Sequence, residues 1–166
     1  MTGAGRWDAK PNRLPWPPII YLIAALAGFA CGRILPVASD WWSGPWVKAA
    51  GGLIMAIGLG LDLAAMFWMH QQRANILPHR AATALVTTGP FALSRNPIYL
   101  GNTVLVAGAA LLLNNPWFLV AALIAAFAVT HLAIQREEAH LATHFGDQWR
   151  DYAHRTPRWL IGRRQK

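Results

Sequence analysis

The sequence predicts an all-α integral membrane protein of about four transmembrane helices, and three observations carry that prediction. Of its 166 residues, 55% are hydrophobic and 13% charged, against about 25% charged in an average soluble domain. The apolar residues gather in runs that approach the roughly 20 residues a helix needs to cross a bilayer. The 9 tryptophans fall mostly near the ends of those runs, where indole rings settle at the membrane–water interface.

The elements follow in order. The first run extends from Trp16 to Pro36 and the second from Pro45 to Trp68, both long enough to span. The connection from His70 to Ile98 contains Pro78, Gly89, Pro90 and Pro97, so it should be mostly turns. A third run, YLGNTVLVAGAALLL from Tyr99 to Leu113, is separated by NNP from a fourth, Trp117 to Ile134. These two read as a tight helical hairpin. Beyond it, Leu141, Phe145, Trp149 and Tyr152 recur at helical spacing among Glu137, Asp147, Arg150 and Asp151, the pattern of an interfacial C-terminal helix, with a bend expected at Gly146. Gly58, Gly60, Gly101, Ala107, Gly108 and Ala109 would let helices approach closely. A second independent core would be hard to fit. The chain therefore divides into an N-terminal helix pair, residues 1–69, and a second part, residues 70–166.

Charge gives orientation. The net charge is +8, yet the basic residues lie at the edges of apolar runs and form no patch with interleaved aromatics, which excludes a nucleic-acid partner. Placing both termini and the 70–98 loop on the cytoplasmic side leaves only Arg33 and Lys48, of 15 lysines and arginines, near the opposite face. The start, MTGAGRWDAKPNRLPWPP, does not resemble a cleavable signal peptide. The lone Cys31 offers neither a disulfide nor a cysteine zinc site.

Several polar groups sit where apolar surroundings discourage them. Asp62 lies about two turns from the end of the second run; it either pairs with a neighbouring helix or faces a polar cavity. Glu137 and Glu138 follow the fourth run, and adjacent residues on a helix point about 100° apart, so the two carboxylates must face different surroundings. Glu137, His140 and His144 have helical ligand spacing, but no second motif completes a metal site, and none is expected. Arg95, Asn96 and Pro97 open the third run. Proline suits a first helical turn, and the free N–H groups there can receive an anion or simply be capped. No strand–turn–helix context surrounds the glycines, so a Rossmann nucleotide fold is excluded.

The ordered set NILPHR, LVTTGPFALSRNPIYLGN, a helical hairpin and REEAHLATHFGDQWRDYAHRTPRWL, covering about Gln72 to Leu160, resembles the isoprenylcysteine carboxyl methyltransferase family, which is grouped with bacterial phospholipid methyltransferases. The resemblance implies an integral-membrane enzyme that uses S-adenosylmethionine without a Rossmann domain. Residues 70–166 would then be the catalytic part, with the C-terminal segment covering a cofactor that faces the cytoplasm, and a lipophilic acceptor would enter from the lipid. A bacterial inner membrane is the expected location. The family's Arg-His-Pro-x-Tyr motif falls on Arg95, Asn96, Pro97, Ile98 and Tyr99, its Leu-Val pair on Leu85 and Val86, its turn aromatic on Phe91, and its acidic pair on Glu137 and Glu138. With Gly101 these are the implied cofactor-binding positions. Glu137, Asn96 and Tyr99 are the implied catalytic residues. Arg73, His79, Arg136 and Asp62 are candidates for the acceptor.

Departures from the family pattern bear on chemistry. Asn96 replaces a histidine and keeps hydrogen bonding without titrating near neutrality. Phe91 replaces a tyrosine. The arginine that eukaryotic members carry just before the acidic pair falls near Ala133, so the methylated atom, carboxyl, amine, thiol or hydroxyl, stays open. Phospholipid N-methylation is the alternative activity, and a non-enzymatic membrane scaffold or small carrier is the alternative outside enzymes.

Overall fold

The computed structural model describes residues 16–37, 43–74 and 83–160, and all regular structure among them is helical. Helix α1 spans Trp16–Ile34, α2 Pro45–Gln71, α3 Pro97–Leu112, α4 Trp117–Val129, α5 Gln135–Phe145 and α6 Asp147–Arg155. A 3₁₀ turn, Gly89–Ala92, precedes α3, and a π-helical turn, Thr130–Ile134, joins α4 to α5 without a break. Among the described residues, three helical stretches are long and apolar enough to cross a membrane: Pro17–Ile34, Pro45–Gln71 and Trp117–Phe145. Helix α3, with 16 residues, is shorter, about 24 Å at 1.5 Å per residue. The fourth run therefore continues past Ile134 through the π turn, and the carboxylates that follow it ride on the same rod.

The NNP sequence makes the hairpin for local reasons. Asn114 adopts φ 50°, a left-handed conformation that asparagine tolerates better than most residues. Asn115 Nδ2 donates to the Gly28 carbonyl at 3.0 Å, while its Oδ1 accepts from Trp117 N at 3.1 Å. One side chain thus starts α4 and ties the turn to α1. The core between α1, α3 and α4 is built from small residues, with Ala110, Ala122, Ala125, Val129, Ala133 and Ile134 almost fully buried. Large side chains such as Leu22, Leu26, Leu123, Ile124 and Phe127 point outward, as expected where lipid is the solvent.

Helices α2 and α3 pack most intimately through facing glycines. A Cβ on Gly58 would strike the Gly101 carbonyl oxygen, one on Gly108 would strike Met55 and the Gly51 carbonyl, and one on Gly101 would strike the Asp62 carboxylate. At the α1–α3 contact, the hydroxyls of Tyr21 and Thr103 lie 2.7 Å apart and both reach the Tyr99 carbonyl at 2.8 Å. The apolar stripe of the C-terminal region does not run along one helix. Gly146, at φ 54° and ψ −121°, breaks it, and Trp149, Tyr152 and Ala153 of α6 bury themselves against Leu85, Phe91, Leu141 and Phe145.

Candidate active site

Polar groups converge where α3 begins. Asn96 occupies the N-cap position of α3, but its side chain does not cap the helix. Its Nδ2 instead donates to the Arg158 carbonyl at 3.1 Å. Ser94 Oγ donates to the same carbonyl at 3.0 Å, and Arg95 N donates to the Pro157 carbonyl at 2.9 Å. The segment after α6 therefore lies as a strap across the mouth of α3. Trp159 anchors it by packing against the main core.

Glu138 fastens the strap by charge. Arg158 donates to it through two nitrogens, Nε to Oε1 at 2.9 Å and Nη2 to Oε2 at 2.5 Å, the bidentate geometry that guanidinium favours. Arg95 Nη1 approaches the same carboxylate at 3.6 Å. Two cations thus share one anion, with side-chain exposures of 4% for Arg95 and 11% for Glu138. The arginines respond differently. Hydrogen bonding to Glu138 pushes the Arg158 guanidinium above its ordinary range, whereas burial pulls that of Arg95 down despite the nearby carboxylate. Arg158 is the primary partner. Arg95 stacks over the Trp149 ring at 5.6 Å, and its Nε is buried with no hydrogen-bond acceptor.

Glu137, one residue earlier, faces elsewhere and accepts a 2.7 Å hydrogen bond from the Tyr99 hydroxyl. Tyr152 donates to the Phe91 carbonyl at 2.7 Å, and burial holds its hydroxyl well above the usual tyrosine range. The π turn sets this phase, because the extra residue in the rod rotates α5 relative to α4.

Of the positions singled out in the sequence, Phe91, Arg95, Asn96, Pro97, Tyr99, Glu137 and Glu138 meet around the mouth of α3, and Leu85 packs with Phe91 beside α6. Val86 is buried just before them, Ile98 is half-buried in the first turn of α3, and Gly101 faces α2. Asp62 lies in the α2–α3 contact against Gly101, with Oδ1 buried and unpartnered. Arg73 and Arg136 are exposed, and His79 lies outside the described residues. The parallel rings of His140 and His144 sit 6.0 Å apart. Among the described residues no group of three or more His, Cys, Asp or Glu is placed to hold a metal ion.

Arg158 and Ser94 were not singled out, and Trp149 and Tyr152 were read only as part of the apolar stripe of an interfacial helix. No periodicity links Arg158 to a glutamate 20 positions away, because the helix break at Gly146 and the turn at Pro157 intervene.

The family model for phospholipid methyltransferase matches residues 46–148. The chain belongs to this family. Its matched region includes α2 through α5 and stops short of the strap. The chain is 33% identical over 116 residues to the nickel-cobalt-cadmium resistance protein NccN of Alcaligenes xylosoxydans xylosoxydans, covering 70% of this chain and 52% of that protein. It is 31% identical to the cobalt-zinc-cadmium resistance protein CzcN of Cupriavidus metallidurans, with 70% and 51% covered. A family relative from Mus musculus, protein-S-isoprenylcysteine O-methyltransferase, is 29% identical, with 69% of this chain and 41% of the relative covered. The chain thus spans about half or less of each of these proteins. No solved structure matches it.

Proposed function

We propose that this chain is an integral-membrane methyltransferase that uses S-adenosylmethionine and methylates a lipophilic, membrane-partitioned acceptor. The observation that carries the reading is the two-sided polar cluster at the mouth of α3 in a chain of this family: Arg95 on one side, Tyr99 with Glu137 on the other. The residues suit the cofactor. The buried, unmatched Arg95 Nε calls for an acceptor such as a carboxylate, and two guanidinium groups on one glutamate leave a surplus positive charge there. Glu137 is an anion for a cofactor's ammonium or ribose hydroxyls, and Phe91, Trp149 and Tyr152 form an aromatic wall beside them.

When bound, the sulfonium supplies an activated methyl group. The chain's task is then alignment and exclusion of water. In this reading Arg95 holds the carboxylate end, and Asn96 and Ser94 keep the strap closed over the site. Tyr99 fixes the rotamer of Glu137, and Leu85, Val86, Pro97, Ile98 and Gly101 shape the walls. Arg73, His79 and Arg136 would attend an anionic acceptor or headgroup, with Asp62 supporting the acceptor side from α2. The site faces the cytoplasm of a bacterial inner membrane, the orientation that the basic residues favour.

One observation favours an acceptor other than a prenylcysteine carboxylate. Ala133, where the resemblance places a carboxylate-binding arginine, is fully buried in the π turn. An amine headgroup, as the family's phospholipid designation suggests, is the leading alternative. Incubating native membranes with the protein and methyl-labelled S-adenosylmethionine, then identifying the labelled product by mass spectrometry, tests the activity and the acceptor together. A labelled lipid or lipophilic product absent from a Glu137→Ala control is expected; absence of any labelled product would refute the proposal.

A further inference from the structure

Helix α1 lies outside residues 46–148, the stretch that the family model matches, yet one of its side chains reaches the first turn of α3. Tyr21 projects from α1 into the core it shares with Tyr99, Val129, Ala133 and Ile134, and is 5% exposed. Its hydroxyl donates to the Tyr99 carbonyl at 2.8 Å and lies 2.7 Å from Thr103 Oγ1, which is itself 2.8 Å from that carbonyl. Hydrogen counting orders this knot. A helical carbonyl keeps one lone pair after its own bond to the fourth residue on, and each hydroxyl carries one hydrogen. The arrangement that satisfies all three oxygens has Thr103 donating to Tyr21 and Tyr21 donating to Tyr99.

Tyr99 is the third residue of α3, and its ring hydroxyl makes the 2.7 Å bond to Glu137. One residue is therefore held at its backbone by α1 while its side chain holds a carboxylate of the polar cluster. Helix α2 grips the same stretch differently, through Gly58 against the Gly101 carbonyl and Asp62 against Gly101. Facing glycines set how near two helices lie. A hydrogen bond to a single carbonyl sets the level as well, because it weakens steeply off its line. Tyr21 thus fixes the height of the first turn of α3, and the rigid ring of Tyr99 carries any shift of that turn to Glu137. A misplacement of about 1 Å, caused away from the chemistry, can cost about a hundredfold in rate.

We infer that Tyr21 is a positioning residue for the proposed site: it acts through the Tyr99 backbone to set the Tyr99–Glu137 pair, and is itself assigned no contact with the cofactor. The inference rests on the reading of that cluster as an S-adenosylmethionine site.

The test is calorimetric titration of the purified full chain with S-adenosylmethionine, in the wild type, Tyr21→Phe, Tyr99→Phe and the double variant. Tyr21→Phe keeps the ring in the core and removes the hydroxyl, so binding about fivefold weaker is expected, the size of one net hydrogen bond. In Tyr99→Phe the link to Glu137 is already cut, and adding Tyr21→Phe should change the affinity less than about twofold, a coupling that such a cycle isolates. A tyrosine that merely stabilised the bundle would leave affinity unchanged, or lower it by the same factor in both backgrounds; either result would overturn the inference. Asn115→Asp loosens the other end of α1, because it loses the donor to the Gly28 carbonyl and keeps the acceptor for Trp117 N. It should lower the thermal unfolding midpoint with affinity unchanged, and a loss of affinity equal to that of Tyr21→Phe would also overturn the inference. Thr103→Val removes the other hydroxyl of the knot; a loss of about twofold is expected, again dependent on Tyr99, and it decides the case if Tyr21→Phe yields no folded protein. Absence of saturable binding by the folded wild type is a separate failure, which would refute the cofactor reading and this inference with it.

Discussion

Glu138 holds two guanidinium groups on one buried carboxylate, and that arrangement makes it the residue on which the strap depends. Removing its charge would leave Arg95, 4% exposed at its side chain, without an anion. Breaking one partner of a buried ion pair costs about 3–5 kcal/mol; the partial exposure of Arg158, 30% at its side chain, argues for the lower end. Glu138→Gln should therefore lower the thermal unfolding midpoint of the purified protein clearly more than Glu137→Gln, because Glu137 is less buried and accepts from the neutral hydroxyl of Tyr99 where Glu138 holds two guanidinium groups. Arg158→Lys keeps the charge and loses the fork, so about 1 kcal/mol is expected. The sequence marked Arg95, Tyr99 and the acidic pair but could not say which glutamate met which partner. A 100° difference in direction is readable from adjacency; the side of the bundle each direction faces depends on the π turn, and nothing in THLAI announces one.

At the scale of elements, the glycines of α2 and α3 decide how closely those helices pack. Gly101 has the Asp62 carboxylate where a Cβ would go, whereas Gly60, on the open side of α2, has nothing within 4 Å. Gly101→Val should overpack the crossing at about 1–3 kcal/mol and reduce the yield of folded protein, while Gly60→Ala should be neutral or stabilising. Detergent-resistant yield by gel filtration separates the two. Small-residue spacing made the contact legible in the sequence, and Asp62, four residues after Gly58, shares that face of α2; that it meets Gly101 was not legible, because spacing within one helix does not fix its register against another. Gly146 is a different case. Its φ of 54° with ψ −121° is open to glycine and poor for other residues, so Gly146→Ala should cost about 1–3 kcal/mol and loosen α6, read as faster amide exchange in Trp149 and Tyr152. A bend there was readable from the glycine. The burial of α6 against Leu85 and Phe91 was not, since an amphipathic stripe fits a membrane surface and a protein surface equally well.

At the scale of the whole molecule, the helices divide the work. Helices α1 and α4 are joined by small buried residues, α2 and α3 by facing glycines, and the polar cluster gathers where α3, α5 and the strap meet. This explains how a chain with 13% charged residues can build an ion-pair network in a lipid-exposed bundle: most of its partners come from the loop before α3 and the segment after α6. The membrane class and the helix positions were legible because hydrophobic length and turn residues are local signals. The strap was not, because three of its bonds go to carbonyls of Pro157 and Arg158 that any sequence would possess, and its ion pair joins Arg158 to Glu138 across the helix break at Gly146. The most direct test of the central claim is calorimetric titration of the purified full chain with S-adenosylmethionine. Saturable binding, weakened at least tenfold in Arg95→Ala and in Glu137→Ala, is the predicted result; no saturable heat, or binding unchanged in both variants, would contradict the account.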